Sequence, residues 1–168
     1  GIAIATVLFV IKYSRVQVVN HSLTGVTYRS TVDRSASHRA LLRAHGDELV
    51  ILQLQEYIFF GTAQRLLERL KARIADEMLP EVQFIVLDFR RVPGLDSSAV
   101  AVFARIKQLV QAQHIQLILT HLAPAMHEQL LRGQVLGHGD SSTIHTFATL
   151  DHGVEWCENE TLRRLGHN

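Results

Sequence analysis

Residues Phe84-Ile85-Val86-Leu87 form an unbroken apolar run, and a short run with no polar side suits a strand covered on both faces. Asp88-Phe89-Arg90-Arg91 follows, then the turn-forming pair Pro93-Gly94. Asp96-Ser97-Ser98 then opens a segment in which Ala99, Val102, Phe103, Ile106 and Val110 recur on one helical face. Asp96 or Ser97 is placed to cap that helix. A polar helix-start loop of Asp96, Ser97 and Ser98 therefore separates a buried strand from an amphipathic helix. Two hydroxyls stand beside the helix's positive end.

The same alternation runs through the rest of the chain. Leu49–Leu54, Ile115–Leu119 and Ile144–Phe147 read as further strands, and Val16–Asn20 and Gly25–Ser30 as extended segments. Asp33–Gly46 reads as a short helix with Ser35 as its cap and Gly46 as its terminator. Ala63, Leu66, Leu67, Leu70 and Ile74 share one face of the clearest helix, whose other face carries Arg65, Glu68, Arg69, Lys71 and Arg73. Pro124 and Gly133 bracket another, since a missing amide costs nothing in a first turn. Leu150, Val154, Cys157, Thr161 and Leu165 line a closing helix. Strands alternating with helices predict an α/β sandwich: a central mixed, mostly parallel sheet with amphipathic helices packed against it. In such sheets ligands meet the edge where strands end and helices begin, and the Asp96–Ser98 loop falls there.

The net charge of +1 gives no reason to propose a nucleic-acid partner, and a single cysteine, Cys157, excludes an internal disulfide. Ten histidines are scattered without His-x-x-x-His spacing, so no metal site is read. Ser97 lacks the Gly-x-Ser-x-Gly surroundings of a nucleophile elbow. Gly137-His138-Gly139-Asp140 lacks the Lys-Ser/Thr ending of a phosphate-binding loop and reads as a turn. No catalytic residue and no cofactor are assigned.

Gly1 to Ile11 is almost wholly apolar, with Lys12 and Arg15 directly after it. A bilayer asks for about 20 such residues, and a signal peptide carries its positive charge before the apolar run. Charge that follows the run suits a membrane helix leaving for the cytoplasm. Residues 1–13 are therefore expected to be the end of a truncated transmembrane helix, residues 14–24 a connector and residues 25–166 the folded domain. An ordinary buried helix or strand is the alternative. Opening on Gly1 rather than Met suits a piece of a longer chain.

The apolar strand ending in Asp88, the short loop and the Asp96-Ser97-Ser98 helix start resemble the central motif of STAS domains. That fold is shared by anti-sigma-factor antagonists and the cytoplasmic tails of sulfate permease (SulP) family anion transporters. Tyr57-Ile58-Phe59-Phe60-Gly61-Thr62-Ala63 resembles the aromatic segment before the first STAS helix of SulP transporters, and the apolar, then basic, N-terminus resembles their last membrane helix. The resemblance covers the chain and implies a STAS-like sandwich serving as a non-catalytic regulatory and assembly domain. It would lie on the cytoplasmic side of the membrane (the inner membrane in a bacterium) of a sulfate-like anion transporter. A free-standing antagonist switched by phosphorylation is the alternative, and a small nucleotide-binding domain a third. Soluble antagonists follow their double serine with Gly, whereas Ala99 stands here.

Ser97 corresponds to the serine phosphorylated in soluble antagonists, and a helix N-terminus favours an added phosphate. Arg90 and Arg91 are candidate anion or phosphate partners, Asp96 would repel the phosphate, and simple helix capping is the plainer role. Tyr57, Ile58, Phe59 and Phe60 are expected to form a transport-domain interface, because a loop normally polar is here aromatic. The expected partner is the membrane transport domain of the same chain. A homodimer, a cytoplasmic regulatory protein or a nucleotide also stand open.

Overall fold

The computed structural model describes residues 2–14 (side chains to residue 8), 17–137 and 143–167. An apolar helix, α1 (Ile2–Ser14), precedes a five-stranded sheet of β1 (Val19–Thr24), β2 (Leu49–Gln55), β3 (Phe84–Arg91), β4 (Gln116–Thr120) and β5 (Ile144–Phe147). Their order is β1-β2-β3-β4-β5, with β1 antiparallel to β2 and the remaining pairs parallel. The mixed, mostly parallel sheet is as the sequence predicts, and Phe84–Leu87 lies at its centre.

The connectors of the parallel strands are α3 (Phe60–Ile74), α4 (Ser97–Ala112) and α5 (Pro124–Arg132); α2 (Ala36–Ala44) precedes β2 and α6 (Leu150–Arg164) closes the chain. Strand pleating divides the side chains between two layers. Val50, Leu52, Ile85, Leu87, Phe89, Leu117 and Leu119 pack with α3 and α4, burying Leu66, Leu70, Val102, Phe103 and Ile106. Leu49, Ile51, Phe84, Val86 and Ile118 pack with Leu150, Val154 and Cys157 of α6. Gly133 follows α5 for reasons of space: a Cβ there would fall 2.2 Å from Val100 Cγ1 of α4.

Three expectations need correction. Residues 25–27 form a turn, not a strand, because the Gly25 amide leaves the sheet to donate to the Gly46 carbonyl at 2.9 Å. The Thr24 amide donates to Thr27 Oγ1 at 3.0 Å and closes that turn. The connector expected over residues 14–24 is correspondingly shorter. Val18 and Val19 are buried, β1 is the edge strand, and the folded unit begins before Gly25. Thirdly, α3 starts three residues ahead of Ala63. Of the Gly137–Thr143 loop, residues 138–142 lie outside the described residues.

The Cys157 thiol is 1% exposed under α6, and burial pushes its pKa well above the usual thiol value, with the Glu158 charge adding to the shift. Native protein is expected to resist alkylation by iodoacetamide and to become reactive only on unfolding. Rapid modification of the native state would show this face open to solvent.

Candidate functional site

The crest at the carboxyl ends of the strands is built by two chain crossings bonded to each other. The Glu56 amide donates to the Arg91 carbonyl at 3.2 Å, the Ile58 amide to the Gly94 carbonyl at 3.1 Å, and the Asp96 amide to the Ile58 carbonyl at 2.9 Å. Ile58 and Leu95 thus form a parallel bridge, and both are buried. These two side chains peg the crossings into the core. Glu56 takes a left-handed φ of 64°, which turns the chain out of β2 into this bridge.

Pegging Ile58 inward turns its neighbours outward. Tyr57, Phe59 and Phe60 are 41%, 38% and 50% exposed, and the rings of Tyr57 and Phe59 lie 4.8 Å apart. Ile58, fully buried, does not belong to the expected aromatic interface. Tyr57 lies over Gly94, where a Cβ would sit 2.8 Å from Tyr57 Cε2. The early start of α3 is explained by Thr62: its hydroxyl accepts the Phe59 amide at 2.9 Å and donates to the Phe59 carbonyl at 3.0 Å.

Next to the aromatics stands the start of α4. Asp96 occupies the N-cap, but its carboxylate does not cap an amide; it accepts the Ser98 hydroxyl instead. Ser97 and Ser98 are exposed. Gln129 Nε2 of α5 donates to the Leu95 carbonyl at 3.0 Å and ties a third element to the crest. No side-chain hydrogen bond of Ser97 occurs among the described residues, so capping by its hydroxyl is absent. Ser97→Ala is accordingly expected to change stability by less than about 0.5 kcal/mol. Ser97→Glu is expected to be neutral or slightly stabilising, since a helix start favours an anion by about 0.3–1 kcal/mol and Asp96 opposes it. A thermal melt checks both; a loss above about 1 kcal/mol would mean the hydroxyl is structurally engaged.

Arg90 and Arg91 are not in the loop but on the last two positions of β3, both exposed. The pairing of β3 with β2 is irregular between Asp88 and Arg91, and the Val92 amide donates to the Phe89 carbonyl at 3.0 Å, so the two arginines sit where the chain curls out of the strand. Neither forms an ion pair among the described residues.

Beneath the crest, on the α6 side of the sheet, lies a polar cluster that sequence reasoning missed. Asp88 is 3% exposed and accepts the Thr120 hydroxyl at 3.0 Å. Burial raises the Tyr28 pKa, and the carboxylates of Asp151, Asp88 and Glu158 raise it further. The strap that carries Tyr28 is lashed to α6 by two of these groups. Asp151 accepts the Thr31 amide and hydroxyl, both at 2.9 Å. Glu158 accepts the Ser30 amide at 3.0 Å, the Ser30 hydroxyl at 2.5 Å and Arg34 Nε at 3.0 Å. The available signal was a carboxylate four residues after Val154, on the apolar face of α6. Among the described residues no group of three or more His, Cys, Asp or Glu side chains could hold a metal ion.

Fold and crest together define a mixed α/β sandwich that presents a hydroxyl-bearing helix start and exposed aromatics at the ends of its parallel strands. The chain belongs to the STAS domain family, whose model matches residues 41–153.

It is similar to the vacuolar basic amino acid transporter VSB1 of Saccharomyces cerevisiae, 29% identical over 96% of this chain and 16% of that protein. Similarity extends to glutaminase 2 of Bradyrhizobium diazoefficiens (22% identity, 88% of this chain, 22% of the other) and to sulfate transporter 3.1 of Arabidopsis thaliana (23%, 94% and 24%). The chain thus spans less than a quarter of the length of these relatives.

Among solved structures, murine Slc26a9, an anion transporter in its inward-facing state, matches with a TM-score of 0.62 at 16% identity, over 92% of this chain and 24% of that one. The STAS domain of a Vibrio cholerae SulP transporter matches at 0.55 and 16% identity, over 75% and 97%. The anti-sigma factor antagonist SpoIIAA matches at 0.54 and 16%, over 67% and 90%. At these identities the likeness is one of fold, and it reaches both transporter domains and antagonists.

Proposed function

We propose that this chain is the cytoplasmic, non-catalytic regulatory and assembly domain of a SulP-type secondary transporter, and that the crest aromatics dock it on the membrane transport domain. One observation carries the reading: Tyr57, Phe59 and Phe60 are exposed together on a loop pegged rigidly by Ile58 and Leu95. Aromatic side chains held outward at such a cost in exposed apolar surface suit a partner that covers them. Two further features support it. The relatives include membrane transporters that match nearly the whole chain. The apolar residues Ile2, Ile4, Val7 and Leu8 of α1 are each more than half exposed, as suits a segment whose partner is lipid or protein.

At 13 residues α1 is about 20 Å long, short of the roughly 30 Å hydrocarbon core, and no helix among the described residues is long and apolar enough to cross a membrane. On this reading α1 is the end of a span, and selectivity for the transported solute, a sulfate-like anion, belongs to the membrane part. Docking would regulate transport only through contacts that differ between the transporter's states.

The test is Tyr57→Ser with Phe59→Ser in the full-length protein, after a melt of the isolated domain shows that it still folds. Loss of a hot-spot pair of about 2 kcal/mol predicts assembly weakened some 30-fold and transport reduced with it. Unchanged assembly and transport would leave the aromatics without a docking role.

A second reading, an antagonist-type binding protein switched at Ser97, is supported by the exposure of Ser97 at a helix start. It requires Ser97→Glu to change binding of a cytoplasmic partner while stability is held.

A further inference from the structure

The place where the chain leaves α1 and enters the sheet is bordered by arginine. Gln17, Val18 and Val19 form one wall of a groove of about 250 Å³, and Arg65, Leu66 and Arg69 of α3 form the other. The first wall is fixed to β2: the Gln17 carbonyl accepts Gln55 Nε2 and the Val18 carbonyl accepts the Gln55 amide, both at 2.9 Å. Arg65 and Arg69 are exposed and stand one turn apart, about 6 Å along the helix. Helix α3 carries four basic residues and one acidic one, Glu68, so its sequence is net positive whatever pairs form along it. The fourth cation along the row is structural: Arg73 donates to the Asp47 and Pro80 carbonyls.

We infer that Arg65 and Arg69 form a docking surface for acidic phospholipid headgroups at the face of the bilayer that α1 enters. The inference rests on the reading of α1 as the end of a membrane span. Gln17 lies three residues beyond Ser14, at most about 11 Å of extended chain. A groove walled by Gln17 is therefore held within about 11 Å of the point where α1 leaves lipid, a distance at which salt weakens the attraction without abolishing it and which an arginine side chain shortens by its own reach. Phosphodiester oxygens suit a guanidinium, which donates two parallel hydrogen bonds to them. In sequence, Lys12 in the last turn of α1 and Arg15 just after it add the same sign of charge. An inserted α1 would leave the domain free to swing, whereas a second contact through α3 fixes its orientation. The crest would then meet its partner in one pose.

The test compares the purified chain on vesicles of phosphatidylcholine alone and of phosphatidylcholine with phosphatidylglycerol, read by co-sedimentation. Each basic residue at an acidic surface strengthens binding about five-fold, so Arg65→Gln with Arg69→Gln is expected to lose ten-fold or more of the preference for acidic vesicles. Binding to the neutral vesicles, through α1, is expected to stay unchanged. The single variant Arg69→Glu, checked by a melt, guards against misfolding of the double variant and is expected to lose at least five-fold.

An undiminished preference in both variants, or no preference in the parent chain, overturns the inference while α1-mediated binding to neutral vesicles would leave the membrane reading standing. Arginine-dependent binding to acidic vesicles with none to neutral ones would do the reverse. Displacement from acidic vesicles by millimolar inorganic phosphate, at constant ionic strength, would assign the arginines to a free anion and also overturn it.

Discussion

Glu158→Ala is expected to destabilise the domain by about 3–5 kcal/mol, because it removes one partner of a buried charge pair and leaves the other uncompensated. The side chains of Arg34 and Glu158 are only 10% and 8% exposed, and Nε meets the carboxylate at 3.0 Å. Among the described residues, the guanidinium without Glu158 keeps the Asn159 side-chain oxygen, 2.9 Å from its terminal nitrogen, and the Ser30 amide and hydroxyl lose their acceptor as well. Glu158→Gln retains an acceptor and is expected to lose less. Since the two residues act as a unit, Arg34→Ala with Glu158→Ala is expected to cost clearly less than the sum of the single losses. Urea unfolding of the parent chain, Glu158→Ala, Glu158→Gln, Arg34→Ala and the double variant measures these losses. Hydrogen exchange at the Ser30 and Thr31 amides supplies the local readout, which should accelerate more than exchange in β3. A loss below about 1 kcal/mol would show that the strap over α6 is only loosely held.

Phe103→Ala is expected to cost a similar 3–5 kcal/mol, for a different reason. Phe103 is 1% exposed on α4 and packs against Phe89 of β3, with ring centroids 5.8 Å apart and planes tilted by 45°. Truncation forfeits the transfer energy of the ring and opens a cavity between helix and sheet that rigid neighbours cannot fill. For a domain of this size the melting temperature should fall by roughly 10 °C. Phe103→Leu, which keeps most of the volume, should lose much less. Combining Phe103→Ala with Phe89→Ala should cost less than the sum, because the pair interaction is lost only once. A near-neutral Phe103→Ala would mean that α4 does not seal this side of the sheet.

The apolar face of α4 and the buried run of β3 were legible in advance for the same physical reason. Burial demand repeats along a chain with the period of its backbone, so Ala99, Val102, Phe103, Ile106 and Val110 announce a helix before its partner is known. A strand hidden on both faces has to sit inside a sheet, and that settles the layers on either side of Phe84–Leu87. The position of the Asp96–Ser98 loop at the strand ends followed from the same alternation.

What lay beyond reach is whatever depends on atoms meeting across the fold. Tyr57, Ile58, Phe59 and Phe60 look alike in sequence; a backbone bridge to Leu95 decides that only Ile58 turns inward. Gly25–Ser30 alternates like a strand, yet the Gly46 carbonyl draws the Gly25 amide into a turn. Arg90 and Arg91 look in sequence like part of a loop, and the pairing of Arg91 with Gln55 makes them the irregular end of β3. Arg34 and Glu158, 124 residues apart, become a buried pair through tertiary contact alone. Hydrophobic periodicity is a local property that one chain segment carries by itself. Hydrogen bonds and ion pairs are decided to within a few tenths of an ångström by where two segments come to rest.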